Sequence, residues 1–399
     1  MASGFPSFEK LISPCSLENF FAEYWEQKPL VAGGENYQLR FNLADIDAYL
    51  ERSDLRVPAL RLVQDGKNIP TRSFVKELTF GAHKSTDLID TDKVIRLFQK
   101  GATILIQLAH ISFPTLKNWC AELELFWGFP IEMNVYLTPP NSQGFSLHYD
   151  THSVFALQIS GSKIWQLYEN SVTLPLLDEP FSESGEGSSQ QRLVTQEIEL
   201  QEGQFLYIPR GHFHSAKANT EASLHITVGF FPPTRLNIIK RWVETLRTDK
   251  FFRSAPSSYL KPIRSKSSID KEQIEIQDML KHCARMDLAN LVDQKSSSIE
   301  IQPKSRRLLD SLALNAICRT TQLLVRENLS IAISENSSVF EIVVFDTKIS
   351  FPLHSKEAIY SALSKSGVFC AVDLESNYSD ESKIVLCKRL VKEGVLTLV

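Results

Sequence analysis

Short runs of branched and aromatic residues, separated by turn formers, fill the middle of the chain: NVYLTPP (134–140), FSLHYD (145–150), SVFALQIS (153–160), KIWQLYE (163–169), QRLVTQEIEL (191–200), QFLYIP (204–209) and SLHITVGFF (223–231). Runs of this length and composition predict strands, and their regular spacing predicts a barrel or jelly roll. Ser160-Gly161-Ser162 supplies a tight turn between two of them. Upstream the pattern changes. Residues 16–28 place Phe20, Phe21, Tyr24 and Trp25 at helical spacing, with Ser16 as N-cap and Pro29 as stop, so this aromatic face is expected in a core. Ala102–Leu108 (ATILIQL) predicts a buried strand, and 112–125 a helix.

Beyond Pro232-Pro233 the texture turns helical, with an amphipathic pattern over 236–246 that sets a boundary near residue 235. Residues 254–270 are rich in Ser, Lys and Pro, a helix is expected over about 271–292, and Ser296-Ser297-Ser298 marks a second junction. The last hundred residues alternate helical and strand patterns, with Ser379 as a cap, Gly394 as a helix stop and Val395–Val399 as a terminal strand. Small helix-helix-strand domains of this kind often resemble winged helices. The polar run Ser182–Gln191 reads as a loop between two strands.

With 399 residues, 43% of them hydrophobic, the chain can bury substantial cores in two or three domains. A formal net charge of -4 gives no global attraction for nucleic acid or anionic lipid. Residues 301–399 hold twelve Lys/Arg against eleven Asp/Glu, so a nucleic-acid role for that domain is not expected, and Lys388, Arg389 and Lys392 read as a solvated helix face. The six cysteines are dispersed and form no Cys-x-x-Cys pair, which argues against a zinc ribbon or a disulfide framework and for reduced thiols in the cytoplasm. No signal sequence or membrane-spanning segment is expected.

Five of the nine histidines (148, 152, 212, 214 and 225) fall within seventy-eight residues, all inside the β-rich stretch, which raises an otherwise common His-x-Asp above chance. In an extended strand His148 and Asp150 share a face while Tyr149 points away. A second imidazole from Tyr207-Ile-Pro-Arg-Gly-His-Phe-His214 completes two histidines and one carboxylate, the set found in oxygen-activating iron(II) centres. His212 and His214 both suit that role on spacing. On the residues alone Lys163 reads as a solvated turn lysine, and Asn134, Tyr136 and His225 read equally as satisfied core residues.

The segments Asn134–Asp150, Gly161–Tyr168 and Tyr207–Gly211 resemble the JmjC-type ribosomal oxygenases. That resemblance implies a mainly β fold with helices: a double-stranded β-helix (cupin/JmjC jelly roll) over 1–235, a helical dimerisation segment over 236–300 and a winged-helix-like domain over 301–399. It further implies an Fe(II)- and 2-oxoglutarate-dependent hydroxylase acting on a His or Arg side chain of a ribosomal protein, working as a homodimer. The matching positions make His148, Asp150 and His214 the iron ligands, with an ordinary residue at 212. They make Lys163 the partner of the distal carboxylate of 2-oxoglutarate, and Asn134, Tyr136 and His225 further co-substrate contacts. His152 departs from the family pattern at the rim of the cleft. The rival readings are a JmjC lysine demethylase and a non-catalytic metal-binding cupin.

Overall fold

The computed structural model describes residues 5–33, 40–81, 83–169, 172–182, 192–255, 274, 276–281, 307–326, 329, 331–335, 339–344 and 347–399. Most of the expected helix over 271–292, the Ser296–Ser298 junction and nearly all of the 182–191 loop lie outside the described residues. The chain divides into two compact units, one of Met1–Phe231 with Glu300–Val399, the other of Pro232–Ile299.

Thirteen strands precede residue 231 among the described residues: β1 (Leu30–Gly33), β2 (Leu60–Gln64), β3 (Lys67–Asn68), β4 (Val75–Phe80), β5 (His83–Ile89), β6 (Thr103–Ile106), β7 (Ile131–Thr138), β8 (Ser153–Ser160), β9 (Lys163–Tyr168), β10 (Val194–Leu200), β11 (Gln204–Ile208), β12 (His214–Ala218) and β13 (Ser223–Phe230). Eight form one antiparallel sheet in the order β1-β11-β8-β13-β7-β6-β2-β3, and β10-β9-β12 form a second. One apolar cluster joins Ala156, Leu206 and Ile208 of the large sheet to Trp165, Leu167, Ile198 and Leu200 of the small one. The two sheets therefore face each other.

The far side of the large sheet is closed by helices. Leu116, Trp119, Cys120 and Leu123 of the helix Pro114–Trp127 join Ile46 and Leu50 of the helix Leu43–Leu50 in one core with Met133, Val135, Ile226 and Val228. Each such side chain, fully buried, contributes about 1.5–3 kcal/mol. The N-terminal aromatic segment folds onto the same core but differs from the sequence expectation. Its helix stops at Tyr24 instead of running to 28, and Phe20–Tyr24 form a π turn in which Trp25 N–H donates to the Phe20 carbonyl at 2.9 Å. The wider turn sends Phe20 inward and lays Trp25 over Trp127 at 5.1 Å, while Phe21 stays exposed.

Three further expectations are corrected. FSLHYD is no strand: it is an extended segment held by a single bridge between His148 and His214. The Ser160–Ser162 turn does not close a hairpin, because β8 and β9 lie in different sheets. Gly161 carries the chain across at φ +66°, where a Cβ would sit 2.2 Å from the Ala222 carbonyl oxygen. Five strands before residue 90 add to the one expected over 102–108, which itself spans Thr103–Ile106.

Beyond residue 300, the helix Arg307–Ala313, β14 (Gln322–Val325), β15 (Ile331–Glu335), β16 (Val339–Val344), β17 (Thr347–Pro352), the helix Lys356–Leu363, β18 (Phe369–Cys370), the helix Asp380–Lys392 and β19 (Leu396–Leu398) surround a core of Leu323, Phe340, Ile342 and Leu390. Strands β15-β16-β17 form a meander and β18-β14-β19 a second small sheet. Ser379 caps the last long helix by accepting from Ser382 N–H, and Gly394 follows its end at φ +82°. Asp310 and Arg326 form a buried ion pair, and Asp310 also accepts from Thr397 Oγ1 at 2.8 Å, tying the first helix to the terminal strand.

In the unit Pro232–Ile299, the helix Arg235–Thr245 starts at a capping box made by Thr234 and Asn237. It leaves Leu236, Ile238, Ile239 and Val243 exposed. Among the described residues of the chain, no helix is long and apolar enough to cross a membrane.

Candidate metal centre

Strand alternation builds one wall of a cavity. β7 and β13 pair with Tyr136 opposite His225 and Asn134 opposite Thr227. Side chains two apart share a face, so these four turn away from the apolar core that takes Met133, Val135, Ile226 and Val228. β9 supplies the opposite wall, burying Lys163, Trp165 and Leu167 in alternation. Between the walls lies a cavity of about 260 Å³ whose lining includes Asn134, Tyr136, His148, Asp150, Lys163 and His214.

The backbone fixes the imidazoles before any ligand arrives. His148 N–H donates to the His214 carbonyl at 3.1 Å and His214 N–H returns a bond at 2.8 Å, which brings the two rings within 4.4 Å. His148 Nδ1 donates to the Ser146 carbonyl at 2.8 Å, and His214 Nδ1 to the His212 carbonyl at 2.9 Å. A carbonyl only accepts, so both Nδ1 atoms carry the proton and both Nε2 lone pairs are left for a metal. One donor atom from each of His148, Asp150 and His214 lies within 4.8 Å of the others.

The turn before His214 is tied to the carboxylate-bearing segment. Gly211 N–H donates to the Asp150 carbonyl at 2.9 Å, and Gly211 sits at φ +81° with the Val172 carbonyl where a Cβ would be. Arg210 anchors the same turn through Glu26 at 2.7 Å and the Pro175 carbonyl at 3.1 Å. His212 stands outside the donor set and contributes its carbonyl instead.

Electrostatics prepare the set for a cation. Burial pushes His214 down to about 4, with the neighbouring His148 adding to the effect, so His214 is neutral at pH 7. Burial works against a charged Asp150, but His148, His152 and His214 around it hold its carboxyl below the usual range. Two imidazole nitrogens and one carboxylate oxygen with open positions beside them suit iron(II). This is a property of the donors.

Lys163 is only 4% exposed and forms no ion pair among the described residues. Its ammonium donates to Thr138 Oγ1 at 3.1 Å, and burial alone drags its pKa from 10.5 to about 7. His225 stacks on Tyr136 at 4.7 Å, and its Nδ1 is buried without a hydrogen-bond partner among the described residues. Burial, then the charge of Lys163, keeps His225 well below its ordinary pKa, hence neutral. Burial and the Asp150 charge push Tyr136 up to about 12. Asn134 Oδ1 is committed to Leu108 N–H at 3.0 Å, leaving its amide nitrogen for the cavity. His152 lies at the rim, stacked on Phe231 at 4.5 Å and covering Gly229.

The seven residues singled out by sequence are thus brought to one cavity. Thr138 was missed, although it continues the 134, 136 alternation on β7. Trp165 and Thr227 were also missed, and the alternation from Lys163 and His225 points to them. The backbone carbonyls of Ser146 and His212 carry no sequence signal.

Residues 108–238 match the family model of the JmjC domain, a stretch that contains His148, Asp150 and His214. Over 232 residues, 56% of this chain, the sequence is 34% identical to ribosomal oxygenase 2 of Mus musculus, covering 47% of that protein. It is 30% identical over 232 residues to ribosomal oxygenase 1 of Homo sapiens, covering 34% of that protein. The bifunctional lysine-specific demethylase and histidyl-hydroxylase NO66 of Aedes aegypti is 30% identical over 234 residues, with 35% of it covered. The matched regions span half or less of these relatives. The crystal structure of Escherichia coli ribosomal oxygenase YcfD shares the fold, with a TM-score of 0.54 at 16% identity, covering 96% of this chain and 98% of that one. The same E. coli protein has been solved in complex with cobalt and 2-oxoglutarate. The resemblance to JmjC-type ribosomal oxygenases is borne out by these matches.

Proposed function

We propose that the protein is an iron(II)- and 2-oxoglutarate-dependent oxygenase that hydroxylates a His or Arg side chain of a ribosomal protein. The observation that carries this reading is the buried ammonium of Lys163 in the same cavity as the His148, Asp150 and His214 donors. A buried cation without a counter-charge is costly, and an anionic ligand offsets that cost. On this reading His148 and His214 hold the metal through Nε2 and Asp150 through a carboxylate oxygen. Lys163 and Thr138 hold the distal carboxylate of the co-substrate, and Asn134, Tyr136 and His225 pack and hydrogen-bond its body.

Iron bound there with 2-oxoglutarate and O2 supplies oxidising chemistry, in which the co-substrate becomes succinate and CO2 and one oxygen atom enters a C–H bond of the target. The chain's own residues orient and insulate. The Nδ1 bonds to Ser146 and His212 hold both imidazoles in one tautomer, the ionised Asp150 gives the metal site its negative charge, and Trp165 packs edge-on against His225 at 5.6 Å.

The remaining parts of the proposal concern the whole protein. We further propose a catalytic domain over 1–235, a helical dimerisation segment over 236–300 and a winged-helix-like domain over 301–399; the separate compact unit at Pro232–Ile299 supports the bounds of the middle segment alone. Exposed Leu236, Ile238, Ile239 and Val243 support homodimerisation, and light scattering that finds a monomer at micromolar concentration counts against it. The unpaired thiols among the described residues suit a cytoplasmic location. A second reading, N-methyl-lysine demethylation, draws on the name of the mosquito relative and differs in releasing formaldehyde.

The test pairs two measurements. Iron-loaded protein is expected to form succinate from 2-oxoglutarate, and ribosomal proteins from cells carrying the gene are expected to show a single-oxygen mass gain that is missing from cells without it. Failure of both sinks the proposal.

A further inference from the structure

The residues between and beside the metal donors point outward and meet one another. Tyr149, between His148 and Asp150, packs edge-on against Phe213, the neighbour of His214, at 5.1 Å and 75°. Phe213 is fully buried. The two donor-bearing segments are therefore joined by the backbone bonds between His148 and His214 and between Gly211 and Asp150, and by this ring pair as well.

A separate stretch of chain closes over that ring pair. Phe181 lies 5.6 Å from Tyr149 and 6.0 Å from Phe213, edge-on to both. Tyr149 Oη donates to the Glu179 carbonyl at 3.1 Å. Arg192 places its guanidinium carbon 3.6 Å from the centre of the Phe213 ring. Neither Phe181 nor Arg192 lines the cavity. Edge-to-face rings and a guanidinium over a ring are directional contacts, so together they resist rotation of the segments that carry the donors.

We infer that Phe181 and Arg192 are positioning residues for the metal centre, acting through Tyr149 and Phe213 to set the angle at which His148, Asp150 and His214 converge. The inference rests on the proposed metal site. It also gives the segment 172–182 a role that its position outside the cavity does not suggest. The Val172 carbonyl demands glycine at 211, the Pro175 carbonyl holds Arg210, and Phe181 holds Tyr149 and Phe213. One segment thus buttresses both donor-bearing stretches from behind.

The test is a cobalt(II) titration of the full chain, read by visible absorption, for the parent, Phe181→Ala, Phe181→Leu, Arg192→Ala and His148→Ala. Changes behind metal ligands weaken metal binding about 10–100-fold. Phe181→Ala is expected to weaken cobalt about tenfold and to alter its visible band, and Phe181→Leu, which refills much of the space, to recover most of the affinity. Arg192→Ala, a substitution outside the cores, is expected to lose about threefold and keeps the idea testable if Phe181→Ala does not fold. Parental affinity and spectrum in both Phe181→Ala and Arg192→Ala, or in Arg192→Ala alone if the other does not fold, overturn the inference while the metal site stands. No cobalt binding by the parent, or equal binding by His148→Ala, overturns the metal site and the inference with it.

Discussion

Replacing Lys163 with methionine separates the role of its charge from that of its bulk. In the ligand-free protein the ammonium is buried, and its pKa falls from 10.5 to about 7. At about 1.36 kcal/mol per pH unit, that fall corresponds to roughly 5 kcal/mol of penalty on the charged form. Below pH 7 the lysine is protonated in both folded and unfolded chains, and the folded state carries the whole penalty. Between pH 7 and 10.5 the unfolded chain binds more protons, so stability rises with pH. From pH 6 to pH 9 the rise from this one group is about 3 kcal/mol. Lys163→Met lacks that slope. The ligand-free variant is expected to be more stable than the parent at pH 6, and the difference to shrink by about 3 kcal/mol at pH 9. Urea unfolding followed by tryptophan fluorescence suits the measurement, because Trp25, Trp119, Trp127 and Trp165 lie in the cavity-bearing part and no tryptophan follows Trp242. In the parent, 2-oxoglutarate should raise the unfolding midpoint; in the variant it should not. An offset that stays constant between pH 6 and 9, or equal stabilisation of both proteins by 2-oxoglutarate, refutes the idea that a buried charge awaits a carboxylate.

Four other substitutions probe the frame. His148→Ala should abolish succinate formation, whereas His212→Ala should retain most of it, since residue 212 supplies only its carbonyl to His214; equal losses in the two would reverse the assignment of the donor set. Gly161→Ala forces a left-handed backbone and a Cβ 2.2 Å from the Ala222 oxygen, so a loss of about 1–3 kcal/mol is expected in thermal unfolding. Asp310→Ala removes the carboxylate from the buried Arg326 ion pair, with an expected cost of about 3–5 kcal/mol, and rapid proteolysis within 300–399 at sites resistant in the parent is the readout.

The parts of the site that the sequence displayed are those set by local periodicity. Asn134 and Tyr136 announce one face of β7, and SLHITVGFF announces β13 because its alternation survives being sandwiched. The extended character of FSLHYD was legible while its pairing was not: two backbone bonds to a segment sixty-six residues away depend on how the sheets stack, which no local pattern encodes. β12 (HSAKA) was missed for a related reason, since it is held by pairing alongside β9 and its small residues lack the branched and aromatic composition that marks an isolated strand. The helical reading of 16–28 failed at its end because tertiary packing of Trp25 on Trp127 and Tyr207 won over the helical period.

The same geometry explains why the cavity is polar only on selected positions. A barrel closed by two sheets has one interior, and here Trp165, Leu167, Ile198 and Leu206 fill one part of it with apolar side chains. The remainder is lined by groups that a solely structural core would have no reason to bury or half-bury: an ammonium, an imidazole nitrogen without a partner among the described residues, and three potential metal donors, of which His214 is buried and His148 and Asp150 are half-buried. Replacing them with apolar residues of similar size would raise stability at little cost in packing. Their combined burial is therefore better accounted for by a ligand that binds the folded chain than by folding itself. Such a ligand must be an anion at the Lys163 end and must leave the His148, Asp150 and His214 end to a cation, which is the polarity of a metal-chelated dicarboxylate.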